Sequence, residues 1–305
     1  MTKFSSLPPL LLFLLLSFLS PGSKAASFTL TNNCGYTVWP GILSGAGTPP
    51  LSITGFVLNS GQSRSLDIPP SWSGRLWGRT YCSTNESTSS FSCLTGDCNS
   101  GQLECSGSGA SPPATLAEFT LDGSGARDFF DVSLVDGYNL PILVSPISAV
   151  SSSGYNCTST GCLVDLNGLC PSNLKVDSGG RSVACKSACE AFGKPEFCCS
   201  GAYGSPNTCK PSSYSQIFKN ACPRAYSYAY DDATSTFTCP TGVNYIITFC
   251  PNTSSQKAGE NDPRAAAVPL INDTMVFLGP ASGGAMANTR RFAALALATA
   301  LSAFW

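Results

Sequence analysis

The 305-residue chain carries sixteen cysteines and no histidine. Without histidine there is no Ser-His or Cys-His nucleophile and no histidine-bound metal. Any acid–base chemistry therefore falls to carboxylates. Two short segments of alternating apolar and polar residues, 117–121 and 129–135, flank a turn at Gly123 to Gly125 and read as neighbouring strands. They carry Glu118 and Asp131. Asp136 follows Asp131 by five positions, which puts the two on opposite faces of a regular strand unless that strand ends before Gly137. Clustered carboxylates raise each other's pKa, and a nearby Arg75 lowers its neighbours'. One acid beside one carboxylate base is what glycoside hydrolysis requires.

The elements that must hold these groups are short strands. Residues 28–33, 57–68 (two strands about Gly61), 76–81, 140–147, 237–239 and 243–249 show the same kind of pattern. Many short strands at roughly ten-residue spacing predict a β-sandwich. Two stretches break the pattern: residues 82–105 hold four cysteines, and residues 157–222 hold nine. Within the second, residues 181–192 read as a helix stopped by Gly193 and Pro195, with Cys185 and Cys189 on one face. Trp39, Trp72 and Trp77 read as packing residues.

The two ends read as processing signals. Residues 1–25 combine Lys3, an apolar run at 10–19 and small residues at Ser23, Ala25 and Ala26, the pattern of a signal peptide cleaved after Ala25 or Ala26. Residues 281–285 are small, 286–291 polar and 292–305 apolar, the order of a glycosylphosphatidylinositol (GPI) attachment signal. As a helix the apolar tail covers about 21 Å, short of a membrane core of about 30 Å. We expect attachment at Ser282, a polar stalk over 252–282 and a removed propeptide over 283–305. The mature chain then carries 13 basic and 18 acidic residues, a net charge of −5. Nucleic acid does not suit that balance, and the membrane is reached through the lipid alone. Sequons at Asn85, Asn156, Asn252 and Asn272 mark candidate glycosylation sites.

The cysteine-rich run Phe91-Ser-Cys93-Leu-Thr95-Gly96-Asp97-Cys98, continuing to Cys105, resembles the signature of thaumatin-like proteins, with Ser89 in place of the usual leading glycine. Asn33-Cys34-Gly-Tyr36-Thr37-Val38-Trp39-Pro40 resembles the family's opening. Asp131-Val-Ser-Leu-Val-Asp136-Gly-Tyr-Asn139 resembles its middle block, and Cys222-Pro-Arg-Ala-Tyr226-Ser-Tyr228 with Cys250-Pro its close. The likeness spans residues 27–251. It implies a mainly β fold: a sandwich (26–79, 114–156, 223–251), a small disulfide-stapled loop region (80–113) and a disulfide-rich insertion with a helix (157–222). Sixteen cysteines allow roughly two million pairings. The resemblance implies one set: Cys34 with Cys250, Cys82 with Cys93, Cys98 with Cys105, Cys157 with Cys239, Cys162 with Cys222, Cys170 with Cys185, Cys189 with Cys198, and Cys199 with Cys209. Zinc is a poor alternative, because the spacing is irregular and the compartment oxidising.

The resemblance also implies a cleft lined by Arg75, Glu118, Asp131, Asp136 and Asp231, with Asp232 solvated and Asp97 ordering its loop. In one reading the cleft binds polysaccharide, β-1,3-glucan above all, with Tyr138, Phe129 and Tyr228 stacking on sugar rings. In another, Glu118 is the general acid and Asp131 the base or nucleophile of an endo-β-1,3-glucanase. A third makes the chain a protein-binding or inhibitory module. A lipid anchor suits wall sensing at the outer face of the plasma membrane; without it the protein is apoplastic. An antifungal defence role, a monomer, and no metal or cofactor complete these expectations.

Overall fold

The computed structural model describes residues 25–147 and 155–251. The expectations for the signal peptide, stalk, Asn252, Asn272, Ser282 and apolar tail fall outside them. Thirteen strands run in chain order: β1 (Ala26–Asn32), β2 (Trp39–Ser44), β3 (Ser63–Ile68), β4 (Ser73–Thr84), β5 (Phe91–Thr95), β6 (Leu116–Gly123), β7 (Arg127–Ser133), β8 (Ile142–Ile147), β9 (Thr160–Cys162), β10 (Lys175–Ser178), β11 (Arg181–Cys185), β12 (Phe237–Pro240) and β13 (Asn244–Phe249). One sheet has the order β3-β1-β13-β8-β9. The other runs β12-β7-β6-β4-β2, with β5 paired to the far half of β4. The β1–β13 pair is parallel, and the other pairs of both sheets are antiparallel.

Alternation explains the sandwich. Every second residue of β1 is buried, as period-two side chains on a half-covered sheet must be. Phe28 and Tyr245 from one sheet meet Phe119 and Phe130 from the other. Ring centroids lie 4.3 Å apart for Phe28–Phe119 and 5.2 Å for both Phe119–Tyr245 and Phe130–Tyr245. Each such side chain contributes roughly 1.5–3 kcal/mol on burial. Trp72 and Trp77 are buried, and their indoles donate to Ser44 Oγ and Gly96 O.

All eight disulfides implied by the resemblance are present. Cys157–Cys239 ties the start of the nine-cysteine segment to β12, and Cys162–Cys222 ties its end to β9 at the edge of the first sheet. Arg79 is a buried cation of the small disulfide region, donating to the carbonyls of Trp39, Pro40 and Leu103. Burial lowers its pKa to about 10 against the charges of Asp97 and Glu104.

The helix expected over 181–192 is corrected. Residues Arg181–Cys185 form β11, paired antiparallel with β10, and a helix covers Ala188–Phe192 alone. Val183 and Ala184 are buried in that hairpin. The helix starts where Ser187 caps it, accepting from the Glu190 amide, and ends at Gly193 in a left-handed conformation. Cys185 and Cys189 thus belong to different elements and bond to different partners. A longer helix, Ser213–Ala221, is capped by Ser212.

Candidate functional site

The sheet register builds the site. Arg75 on β4 pairs with Glu118 on β6, and Glu118 pairs with Asp131 on β7. The three side chains form one row across three strands, on the face turned away from the Phe119 and Phe130 rings. Directly opposite residues in antiparallel strands have Cβ atoms about 4.5–5.5 Å apart, so the three charged groups lie within electrostatic reach of one another. Strand β12 lies on the other side of β7, its register starting at Phe237–Phe130, so the chain just before it runs beside the Asp131 end of the row.

Asp136 joins from a turn. Strand β7 ends at Ser133, and the Gly137 amide donates to Leu134 O at 3.0 Å. The opposite-face objection therefore lapses. Gly137 has φ 83°, and a Cβ there would lie 2.7 Å from both Cys185 O and Pro113 Cβ. Glycine is required for this turn to lie against β11. Asp136 Oδ2 sits 4.0 Å from Arg75 Nη1.

Burial raises the Glu118 carboxyl above its usual range; Arg75 opposes this and Asp136 reinforces it. Burial, then the charges of Glu118 and Asp232, hold Asp131 well above the ordinary carboxylate range. Burial also raises Asp136, against the pull of Arg75. Asp131 Oδ2 is buried and has no hydrogen-bond partner, an unsatisfied polar atom of the kind that folded proteins rarely keep without a reason. From the insertion, Glu190 comes within reach of the charge of Asp136. Its own carboxyl is pushed up to about 7 by burial, against Lys186.

Two expected site residues are placed differently. Asp231 is engaged internally: Oδ2 lies 2.9 Å from Lys219 Nζ and accepts from the Ser227 amide and hydroxyl at 3.0 Å each, while Oδ1 accepts from Thr234 Oγ1. It buttresses the 225–235 loop. Asp232, expected to be merely solvated, is the neighbour whose charge reaches Asp131. Tyr138 cannot stack on a sugar, because it is fully buried and donates to Val164 O at 3.0 Å. Phe129 shares the outward face of β7 with Asp131 and remains partly exposed, as does Tyr228.

Both described sequons are exposed. Asn85 Oδ1 accepts from Ser87 Oγ at 2.6 Å, and Asn156 Oδ1 accepts from Thr158 Oγ1 at 3.1 Å.

Comparison with known proteins agrees with this architecture. Thaumatin-like protein 1 of Arabidopsis thaliana is 58% identical over 252 residues, covering 79% of this chain and 94% of that protein. A Prunus avium protein named glucan endo-1,3-beta-glucosidase is 53% identical, covering 75% of this chain and 92% of its own length. A laminaripentaose-producing β-1,3-glucanase, solved with laminaritetraose, matches 75% of this chain and 99% of its own with a TM-score of 0.50. At 14% identity this last likeness is one of fold. The thaumatin family model itself matches residues 32–251, from the end of β1 to the residue after the last cysteine, and the chain belongs to the thaumatin family.

Proposed function

We propose that this is a secreted, cell-surface thaumatin-family defence protein that binds wall polysaccharide, β-1,3-glucan first, in the groove along Arg75, Glu118, Asp131 and Asp136. The observation that carries the reading is the single row Arg75–Glu118–Asp131 with a buried, unpartnered oxygen on Asp131. Sugar hydroxyls both donate and accept. Two adjacent carboxyls that resist joint ionisation offer one protonated donor and one charged acceptor. Arg75 adds a fixed donor at the other end, and Phe129 an apolar face. The name of the Prunus avium relative supports the choice of glucan.

Hydrolysis is the second reading, favoured by the same retained proton. Glu118 would protonate the leaving oxygen and Asp131 act as base or nucleophile, which requires the proton that Asp131 holds more strongly to pass to Glu118 as substrate binds. A separation of about 5–5.5 Å is that of a retaining pair, and direct register gives the Cβ atoms a similar spacing. Binding needs less, because catalysis also requires the two carboxyls to flank the scissile bond.

Retention on insoluble β-1,3-glucan and release of reducing sugar, measured for the mature protein and Glu118→Gln, separate the readings. We expect wild-type retention without release, and retention lowered at least tenfold in the variant. Release by wild type that Glu118→Gln abolishes while still binding would make the protein a glucanase. No retention in either would favour a protein partner.

The C-terminal pattern supports attachment through a GPI anchor at Ser282 and a wall-sensing role at the outer membrane face. Phosphatidylinositol-specific phospholipase C is then expected to release the protein from plant membranes. A protein that stays with the membrane, or that is already soluble, would contradict the anchor.

A further inference from the structure

We propose that Tyr226 and Asp232, and not Asp231, form the Asp131 end of the ligand groove, where they hydrogen-bond a ligand hydroxyl beyond the Arg75–Glu118–Asp131 row. This rests on the glucan reading above.

Three observations carry it. First, the row does not stop at Asp131: Tyr226 pairs with Ser133 on the outer side of β7, where β12 also pairs from Phe237–Phe130, and Tyr226 Oη is hydrogen-bonded to Thr236 Oγ1, just before β12. Second, Tyr226 Oη donates to Asp232 Oδ1 at 2.9 Å. The phenol has one proton, so Thr236 is the donor in the other contact. Asp232 is exposed. Tyr226 is itself held beside the row by backbone bonds, its amide donating to Val132 O and its carbonyl accepting from the Leu134 amide. Third, Asp131 Oδ2 is buried without a partner, and the charge of Asp232 reaches Asp131 as that of Asp131 reaches Tyr226. A ligand hydroxyl at this end can accept from a protonated Asp131 and donate to Asp232.

Asp231 has no such capacity. Lys219, Ser227 and Thr234 occupy both of its oxygens, and Lys219 also donates to Ala225 O and Ser235 Oγ. Its role is to hold the loop that presents Tyr226 and Asp232.

The test compares Tyr226→Phe, Asp232→Asn and Asp231→Asn with wild type and Glu118→Gln, using retention on insoluble β-1,3-glucan, melting temperature, and the carboxyl 13C titration of Asp131. We expect Tyr226→Phe and Asp232→Asn to lower retention at least fivefold with little change in melting temperature. Asp231→Asn is expected to lower the melting temperature several degrees. The Asp131 titration should move to lower pH in Asp232→Asn and stay in place in Asp231→Asn. Full retention in Tyr226→Phe and Asp232→Asn, alongside loss in Glu118→Gln, would overturn this inference and leave the glucan reading intact. No retention by wild type would remove both. An unmoved Asp131 titration in Asp232→Asn would independently overturn the placement of Asp232.

Discussion

Asp131→Asn is expected to raise the melting temperature of this protein at pH 8 by at least a few degrees while abolishing its retention on glucan. The two effects have one cause. Asp131 is buried directly opposite Glu118, and the charge of Asp232 reaches it as well. Its folded pKa lies well above the value of an exposed carboxyl, so the folded state holds a proton that the unfolded chain has already released. Stability from this group is fully present below the unfolded pKa, about 3.9 for Asp, and is lost as pH rises through the folded pKa. Each unit of displacement corresponds to about 1.4 kcal/mol, and 1 kcal/mol moves Tm by about 2–4 °C in a domain of this size. Asparagine removes the penalty, and its amide donates toward the Glu118 carboxylate. At pH 3 both proteins carry neutral groups there, so the gain should vanish. Melts at pH 3, 5 and 8 check this. Equal destabilisation at all three would mean that the carboxyl acts through packing, and the electrostatic account of the groove would fail. The expected trade of stability against binding is what a preorganised site implies: groups held in an unfavourable ionic state so that a ligand can relieve them.

Much of the site's frame is readable without coordinates. The hairpin that carries Glu118 and Asp131 alternates cleanly about Gly123 to Gly125, so its strands and outward face follow from period two alone. Arg75 joins the row through β4–β6 pairing, which no local pattern specifies. Asp136 depended on where β7 stops, and Gly137 supplied the clue. Where the local signals compete, the reading fails. Residues 181–185 suit a helix in isolation, but pairing with β10 and burial of Val183 prevail, a tertiary override of propensity. The helix Ser213–Ala221 carries a cap at Ser212 and the spacing of Tyr214 and Phe218, signals that the surrounding cysteines obscure. Asp231 and Asp232 are adjacent in a short helical turn, where neither strand parity nor spacing tells which points to the groove. Lys219, distant in sequence, decides it. Tyr138 and Tyr226 differ in the same way: equally aromatic, one is locked in the core and the other borders the site.

Replacing Cys34 and Cys250 together by alanine should lower stability by about 5 kcal/mol, while the Cys98 and Cys105 pair replaced likewise costs about 2.5 kcal/mol. The contrast follows from loop length. Cys34–Cys250 closes 216 positions of chain and Cys98–Cys105 closes seven, and the entropy removed from the unfolded state grows with the logarithm of the loop. The folded state gives up little in the first case. Strands β1 and β13 still pair in parallel from Phe28–Tyr245 to Asn32–Phe249, and the Asn33 amide still donates to Phe249 O. The loss therefore lies in the unfolded chain, and guanidinium denaturation should show a lower midpoint with a steeper slope as that chain expands. Equal costs for the two pairs would sink the chain-entropy account and point to native-state strain. The acidic row lies in the other sheet, on β4, β6 and β7. Glucan retention by the folded Cys34→Ala/Cys250→Ala protein should consequently match wild type, separating what staples the fold from what the groove does.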